Sequence, residues 1–99
     1  MRPTKLKILG KPYTVRYVTG EPLAEDEMGE CDDVNQSLYI RDGQVLENEQ
    51  DTVLHEAIHA VDEAMQIGLK EEQVRRLATG LLAVVKDNPR LAGYLRKKK

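Results

Sequence analysis

Two histidines and a glutamate in one short segment are the residues of this sequence best suited to chemistry. His55, Glu56 and His59 follow the pattern H-E-x-x-H within a run that has the composition of a helix. Residues four apart on a helix lie one above the other on the same face, so both imidazoles can bind one zinc ion. The glutamate beside the first histidine is then within reach of a zinc-bound water, which it can deprotonate. The segment therefore predicts a zinc hydrolase with Glu56 as its general base.

The same pattern also occurs without a metal, because many helices carry a histidine and a glutamate on a solvated face. Two features of this chain favour the metal site. The chain has only two histidines, and both lie in the motif. The residues between them, Ala57 and Ile58, are apolar, as expected for a helix that packs against a core.

A catalytic zinc site usually has three protein ligands, and the histidines supply only two of them. Cys31 is one candidate for the third, although a small apolar core residue is the more common role of a lone cysteine. The metzincin pattern is excluded, because Asp62 and Met65 stand where it has a glycine and a further ligand. A carboxylate from the following helix remains as the candidate for the third ligand.

Glu71 and Glu72 are the candidates for this carboxylate, and helical phase separates them. Glu71 precedes Val74 by three residues and Ala78 by seven, which puts it on the apolar stripe that faces the first helix. Glu72 shares a face with Arg75 that should meet water. A buried carboxylate needs a partner, and a zinc ion would be one, so we favour Glu71. The alternative is that both are acidic residues in the first turn of a helix, where the helix dipole favours them.

Two supporting roles have candidates in the sequence. Asp62 follows His59 by three residues, so it can accept the second ring N–H of that histidine, or it can be a solvated helix residue. The oxyanion of a hydrolysis reaction needs a hydrogen-bond donor, and every tyrosine of the chain offers one. These tyrosines are Tyr13, Tyr17, Tyr39 and Tyr94.

Strand patterns fill the first part of the chain. Residues 5–9 alternate charged and apolar side chains, and residues 13–18 are rich in β-branched and aromatic side chains. Residues 28–31 and 37–41 have the pattern of further short strands. We predict a small antiparallel sheet of three or four strands within residues 1–45.

The second part of the chain, residues 48–95, is predicted to be mainly helical. Asn48 is the expected N-cap of the first helix, with Asp51 completing a capping box, and Gly68 is the expected stop. A second helix should follow this glycine and end at Asn88, because the next residue is proline. The predicted fold class is therefore α+β, with an active-site helix and a second, glutamate-bearing helix after the sheet.

Size and composition limit the class of protein. Ninety-nine residues, of which 40% are hydrophobic and 32% charged, predict a single globular domain over residues 1–99. The net charge of −2 argues against nucleic-acid binding, and no apolar run is long enough to span a membrane. A single cysteine and the lack of a signal-peptide pattern predict a cytoplasmic protein. The sequence does not predict an oligomeric state.

Beyond the motif, residues 51–60 and 71–78 resemble small metallopeptidases of the gluzincin type. The nearest are the ImmA/IrrE-like proteins of phages and prophages, and the single-domain minigluzincins. In that class a glutamate opens the helix after the active-site helix, and an aliphatic residue and then an apolar-alanine pair follow it. Glu71, Val74 and Ala78 match that spacing.

The resemblance covers about residues 48–90. It departs from the ImmA/IrrE pattern at Arg75 and Leu77, where that pattern has asparagine and phenylalanine. It implies a minimal fold made of a small antiparallel sheet, an active-site helix and a glutamate-bearing helix. It also implies an edge strand beside the cleft that pairs with an extended peptide, and residues 37–41 are the candidate for this strand.

The sequence thus predicts a zinc-dependent peptidase, with zinc on His55, His59 and Glu71 and with Glu56 as general base. Its substrate would be a peptide or protein that lies along an edge strand. One alternative is a phage-type accessory or regulatory zinc-binding protein with little or no proteolytic activity, which the small size favours. Another is a peptidase inhibited by its own tail, residues 94–99, lying over the cleft.

Overall fold

The computed structural model describes residues 1–98, and it has the α+β architecture that the sequence predicts. The strands are β1 (Lys5–Ile8), β2 (Lys11–Val18), β3 (Gly29–Asp32) and β4 (Ser37–Arg41). The helices within this range are α1 (Leu46–Met65), α2 (Glu71–Asp87) and α3 (Leu91–Arg96). Over the same residues, every helix is too short or too polar to cross a lipid bilayer.

The four strands form one mixed sheet in the order β1-β2-β4-β3. β1 and β2 are the antiparallel hairpin that the alternation predicts, and β3 and β4 are a second antiparallel pair. β2 and β4 run parallel, so the prediction of a wholly antiparallel sheet does not extend to this pair. The reason is that residues 19–28 carry the chain across the position next to β2 to the far edge of the sheet, where β3 forms. The hairpin of β3 and β4 then places β4 between β3 and β2.

β4 lies inside the sheet, which corrects the prediction that residues 37–41 are an edge strand. It is hydrogen-bonded to β2 on one side and to β3 on the other. Leu38 and Ile40 are fully buried, as expected for a central strand covered by a helix. β3 is the outer strand instead, and it also packs against α1.

The hydrophobic core lies between one face of the sheet and α1. Alternate residues of a strand point to the same face, which brings the apolar residues of three strands together under the helix. The core residues are Ile8, Tyr13, Val15, Leu38, Ile40 and Ala60. α2 packs against α1 rather than against the sheet, so the second helix is positioned by the first.

The structure corrects the predicted start of α1. Val45 precedes the helix, and its side chain has no polar group with which to cap it. Asn48 therefore lies within the first turn, and the predicted capping box with Asp51 does not form. The cause is that β4 ends at Arg41 and a short turn leads directly into the helix. The first backbone bond of that helix runs from Glu49 N–H to the Val45 carbonyl, at 2.9 Å.

The connection between α1 and α2 is short and held by one side chain. α1 ends at Met65, before the predicted stop, and Gln66 and Gly68 both have positive φ angles, of 53° and 84°. The Asp62 carboxylate accepts hydrogen bonds from the backbone N–H groups of Gly68, at 2.8 Å, and Leu69, at 3.1 Å. Asp62 thereby fixes the path that leads to the first residue of α2.

Candidate metal centre

The structure brings three of the predicted site residues into contact. His55 Nε2 lies 2.5 Å from Glu71 Oε1, and His59 Nε2 lies 2.8 Å from Glu71 Oε2. The two imidazole rings are tilted by 60°, with centroids 4.9 Å apart. One ligand-type atom from each residue lies within 4.8 Å of the others. We call these three residues the His-His-Glu cluster.

Two helices position this cluster. His55 and His59 occupy successive turns on one face of α1, as their spacing predicts. Glu71 is the first residue of α2, so the connection that Asp62 holds places its carboxylate beside both imidazoles. Glu72 turns away and pairs with Arg76 at 2.7 Å. Glu71 has a side chain that is 65% exposed, so it lies at the rim of the helix pair and not on a buried stripe.

The donor chemistry of the cluster suits zinc. Two imidazole nitrogens and one carboxylate oxygen are a frequent ligand set for this ion, and three protein ligands leave a coordination position open. The same atoms also satisfy one another through hydrogen bonds in the absence of a metal. In both cases the carboxylate of Glu71 and the two histidines form one unit, and α2 is tied to α1 at this point.

Glu56, the predicted base, lies beside the cluster and is only 5% exposed. Burial, together with the nearby carboxylates of Glu71, Glu27 and Glu30, raises the pKa of its carboxyl to about 8. A positive charge held by the cluster would oppose this rise, because an opposite charge favours the ionised form. The protonation state of Glu56 therefore depends on what the neighbouring histidines hold.

Gly29 is a site residue that the sequence reasoning missed. It opens β3, and a Cβ atom at this position would lie 2.9 Å from Glu56 Oε2 and 2.8 Å from Thr52 Cγ2. No side chain larger than hydrogen fits there unless Thr52 and Glu56 shift. A glycine within a strand often marks such a close approach, which is the signal that could have identified it.

A cavity of about 410 Å³ opens beside the cluster. It lies between the start of β3 and the two helices, and His55, Glu56 and Glu71 line it. Arg75 is its one basic lining residue in the described part of the chain. The tyrosines predicted as oxyanion donors lie elsewhere: Tyr13 is in the core, and Tyr17 donates its hydroxyl to the Pro3 carbonyl.

Two other candidates have structural positions outside the cluster. Cys31, weighed as a ligand, packs against the core, and burial together with nearby carboxylates raises the pKa of its thiol to about 12. A neutral thiol is a poor metal ligand. Asp62 holds the connection between the helices, a role that differs from the predicted hydrogen bond to His59.

The tail does not lie over the cleft in the described residues. α3 follows the far end of α2, which at 17 residues is about 25 Å long. Tyr94 lines a separate cavity there with Val84 and Pro89. Of the predicted inhibitory tail, Lys99 lies outside the described residues.

Comparison of the chain with protein-family models, curated proteins and solved structures finds no match. The resemblance to gluzincins therefore stays a prediction, carried by the motif and by the glutamate of the second helix. What the chain offers chemically is the His-His-Glu cluster, a buried carboxyl beside it and an open cavity in front of both.

Proposed function

We propose that this protein is a zinc-dependent peptidase. The observation that carries the proposal is the convergence of His55, His59 and Glu71 next to Glu56, a buried carboxyl without a hydrogen-bond partner among the described residues. Only 5% of Glu56 is exposed, and its side chain lines the cavity in front of the cluster without a hydrogen bond to the described protein. An unpaired carboxyl beside a zinc-type donor set is typical of a catalytic acid or base.

Each residue has a definite role in this proposal. His55, His59 and Glu71 hold the zinc ion, which supplies Lewis-acid chemistry by polarising a carbonyl and activating water. The Glu56 carboxylate accepts the proton of the attacking water and then delivers it to the nitrogen of the leaving amine. Close packing against Gly29 of β3 limits the orientations of the Glu56 side chain, which lowers the cost of reaching the reactive geometry.

The outer edge of β3 supports a peptide as the substrate. The Arg41 N–H donates to the Met28 carbonyl at 2.8 Å, so in this antiparallel ladder Glu30 also bonds to β4. The backbone groups of Gly29 and Cys31 therefore point away from the sheet, at the edge nearest Glu56. An extended peptide can add to such an edge by main-chain hydrogen bonds, which brings its carbonyls past the cluster.

The exposure of Glu71 favours a second candidate function, that of an accessory or regulatory zinc-binding protein. Its side chain is 65% exposed, and a cleft so open to water weakens the electrostatic stabilisation that catalysis requires. Binding of metal without hydrolysis would fit this alternative.

Metal content and proteolysis of variants separate the two functions. We expect the full chain to bind about one zinc per molecule by elemental analysis. It should also cleave an unfolded protein such as casein. Glu56→Gln should keep the zinc and lose cleavage, whereas Glu71→Ala should lose the zinc. Glu72→Ala is the matched control, since it removes the adjacent carboxylate, which lies outside the cluster.

Each outcome has a definite meaning. Zinc without cleavage in the wild-type protein would favour the accessory function. Cleavage that persists in Glu56→Gln at the wild-type rate would exclude Glu56 as the base. Equal zinc contents in Glu71→Ala and Glu72→Ala would show that the third ligand is wrongly assigned.

A further inference from the structure

A second cavity adjoins the cleft, and most of the residues that line it are acidic. Its volume is about 250 Å³, it shares Glu27, Gly29 and Glu56 with the first cavity, and His59 also lines it. We call it the acidic cavity. The carboxylates that line it belong to Glu27, Glu30, Asp33, Glu56, Asp62 and Glu63.

These carboxylates are not neutralised by the protein. No lysine or arginine lines the acidic cavity, and the salt bridges found within residues 1–98 involve other acidic residues. Asp62 is engaged by backbone N–H groups, and Glu27 accepts the Ala24 N–H at 2.8 Å. Glu30, Asp33 and Glu63 have no such partner in the described chain. The buried Glu56 carboxyl, also unpartnered, faces the same space.

The carboxylates of the acidic cavity do not converge in the way that the ligands of a single metal ion do. The cluster of His55, His59 and Glu71 is the one group of three ligand-type side chains that converges within 4.8 Å, among the residues that the structure describes. The carboxylates of the acidic cavity are too far apart to share an ion in this way. They suit a larger, delocalised or flexible cation that several of them can approach together.

The size and position of the cavity indicate a side chain of the substrate. At about 250 Å³ it is below the range of about 300–1,000 Å³ that is typical of sites for whole small molecules. A peptide paired with the outer edge of β3 would pass first the cleft and then this cavity, since Gly29 lines both and Cys31 lines the second. In the described residues, α3 and the basic residues after it follow the far end of α2, away from this cavity.

We propose that the acidic cavity binds a lysine or arginine side chain of the substrate, next to the scissile bond on the side of His59. This inference rests on the proposed peptidase function. The charged walls of the cavity concentrate their field inside it, which attracts cationic peptides and repels acidic ones. Specificity in so small a protein then comes from charge and not from deep subsite walls.

The test uses equal-length alanine-rich peptides in which one arginine, one lysine or one citrulline is moved through every position. Citrulline keeps the shape of arginine without its charge. For the zinc-loaded full chain we expect one position at which arginine or lysine raises kcat/KM about tenfold over citrulline. Three partly exposed charge pairs account for a preference of this size. Added salt should reduce it.

A triple variant shows whether the cavity causes the preference. Glu30→Gln, Asp33→Asn and Glu63→Gln together should reduce it to less than about twofold, because the three unpartnered charges are removed. The control has the same charge change at exposed residues outside the cavity: Glu25→Gln, Asp26→Asn and Glu47→Gln. It should keep most of the preference.

Binding to the zinc-loaded Glu56→Gln protein, followed by fluorescence anisotropy, is independent of turnover. Tighter binding of the arginine peptide than of the citrulline peptide, lost in the triple variant, supports the acidic cavity even if no peptide is cleaved. The absence of cleavage together with this binding preference would reject only the peptidase function. Equal binding and equal cleavage of the two peptides, or a preference unchanged in the triple variant, would overturn the inference while leaving the peptidase function intact.

Discussion

Replacement of Gly29 by alanine tests the close contact between β3 and α1. Gly29 has an ordinary extended backbone, so alanine is compatible with its conformation. The added methyl group, however, would lie 2.8 Å from Thr52 Cγ2 and 2.9 Å from Glu56 Oε2. Atoms at these distances overlap, so the side chains of Thr52 and Glu56, or the elements that carry them, have to shift.

Thr52 cannot move freely. The Thr52 hydroxyl donates to the Asn48 carbonyl at 2.9 Å and lies 3.1 Å from Gln44 Oε1, which fixes its rotamer. Overpacking of this kind costs about 1–3 kcal/mol. The loss of backbone freedom in the unfolded chain returns about 0.4–1 kcal/mol. We expect Gly29→Ala to lower the free energy of unfolding by about 1–2 kcal/mol, and Tm by about 4–16 °C.

Urea denaturation followed by circular dichroism measures this difference, with Gly20→Ala as the matched control. A Cβ atom at Gly20 has no neighbour within 4 Å, and its φ angle is not in the left-handed region. Gly20→Ala should therefore be neutral or slightly stabilising. In the double variant Gly29→Ala, Thr52→Ser, removal of Cγ2 should restore part of the lost stability.

The same substitution separates metal binding from catalysis. Glu56 has to shift in Gly29→Ala, whereas the His-His-Glu cluster does not contact this residue. We expect the zinc content to stay near that of the wild type and peptide hydrolysis to fall. An unfolding free energy of Gly29→Ala equal to that of Gly20→Ala would refute the contact and the reasoning built on it.

Further substitutions probe the core, the thiol and the helix connection. Leu38→Ala should lower the free energy of unfolding by about 2–5 kcal/mol, measured in urea, because this side chain is fully buried. The Cys31 thiol, with a pKa of about 12, should react with iodoacetamide at pH 9 far more slowly than in the unfolded chain. Since its pKa is higher in the folded state, the contribution of Cys31 to stability should be constant below about pH 8.5 and be lost as the pH rises towards 12. Asp62→Ala should cost about 1–3 kcal/mol and weaken zinc binding, whereas Asp62→Asn, which keeps an acceptor oxygen, should cost less in both measurements.

Local patterns were sufficient for much of the fold. The hairpin of β1 and β2 follows from period-two alternation around a turn, and α1 follows from an apolar stripe at helical spacing. The parallel pairing of β2 with β4 could not be predicted in this way. It depends on which edge of the sheet the chain reaches after residues 19–28, and that is set by tertiary packing. The mistaken N-cap at Asn48 has a similar cause, because the preceding strand sets where the helix starts.

The candidate site was also predictable only in part. Helical phase selected Glu71 over Glu72, and the structure has Glu71 in contact with both histidines. The expected burial of Glu71 was wrong, since the first residue of a helix lies at its rim and remains open to water. Gly29 and the acidic cavity join a strand to a helix distant in sequence, and no local pattern reports such a contact.

The three candidate ligands all come from one helical hairpin, with only the short connection fixed by Asp62 between them. The environment of Glu56 comes instead from β3, on the other side of α1. In the proposed peptidase, metal binding and the general base would therefore depend on different parts of the chain, because the helical hairpin carries the candidate ligands and β3 packs against Glu56. Local opening of β3 would then expose Glu56 to water while the two histidines and Glu71 keep their positions.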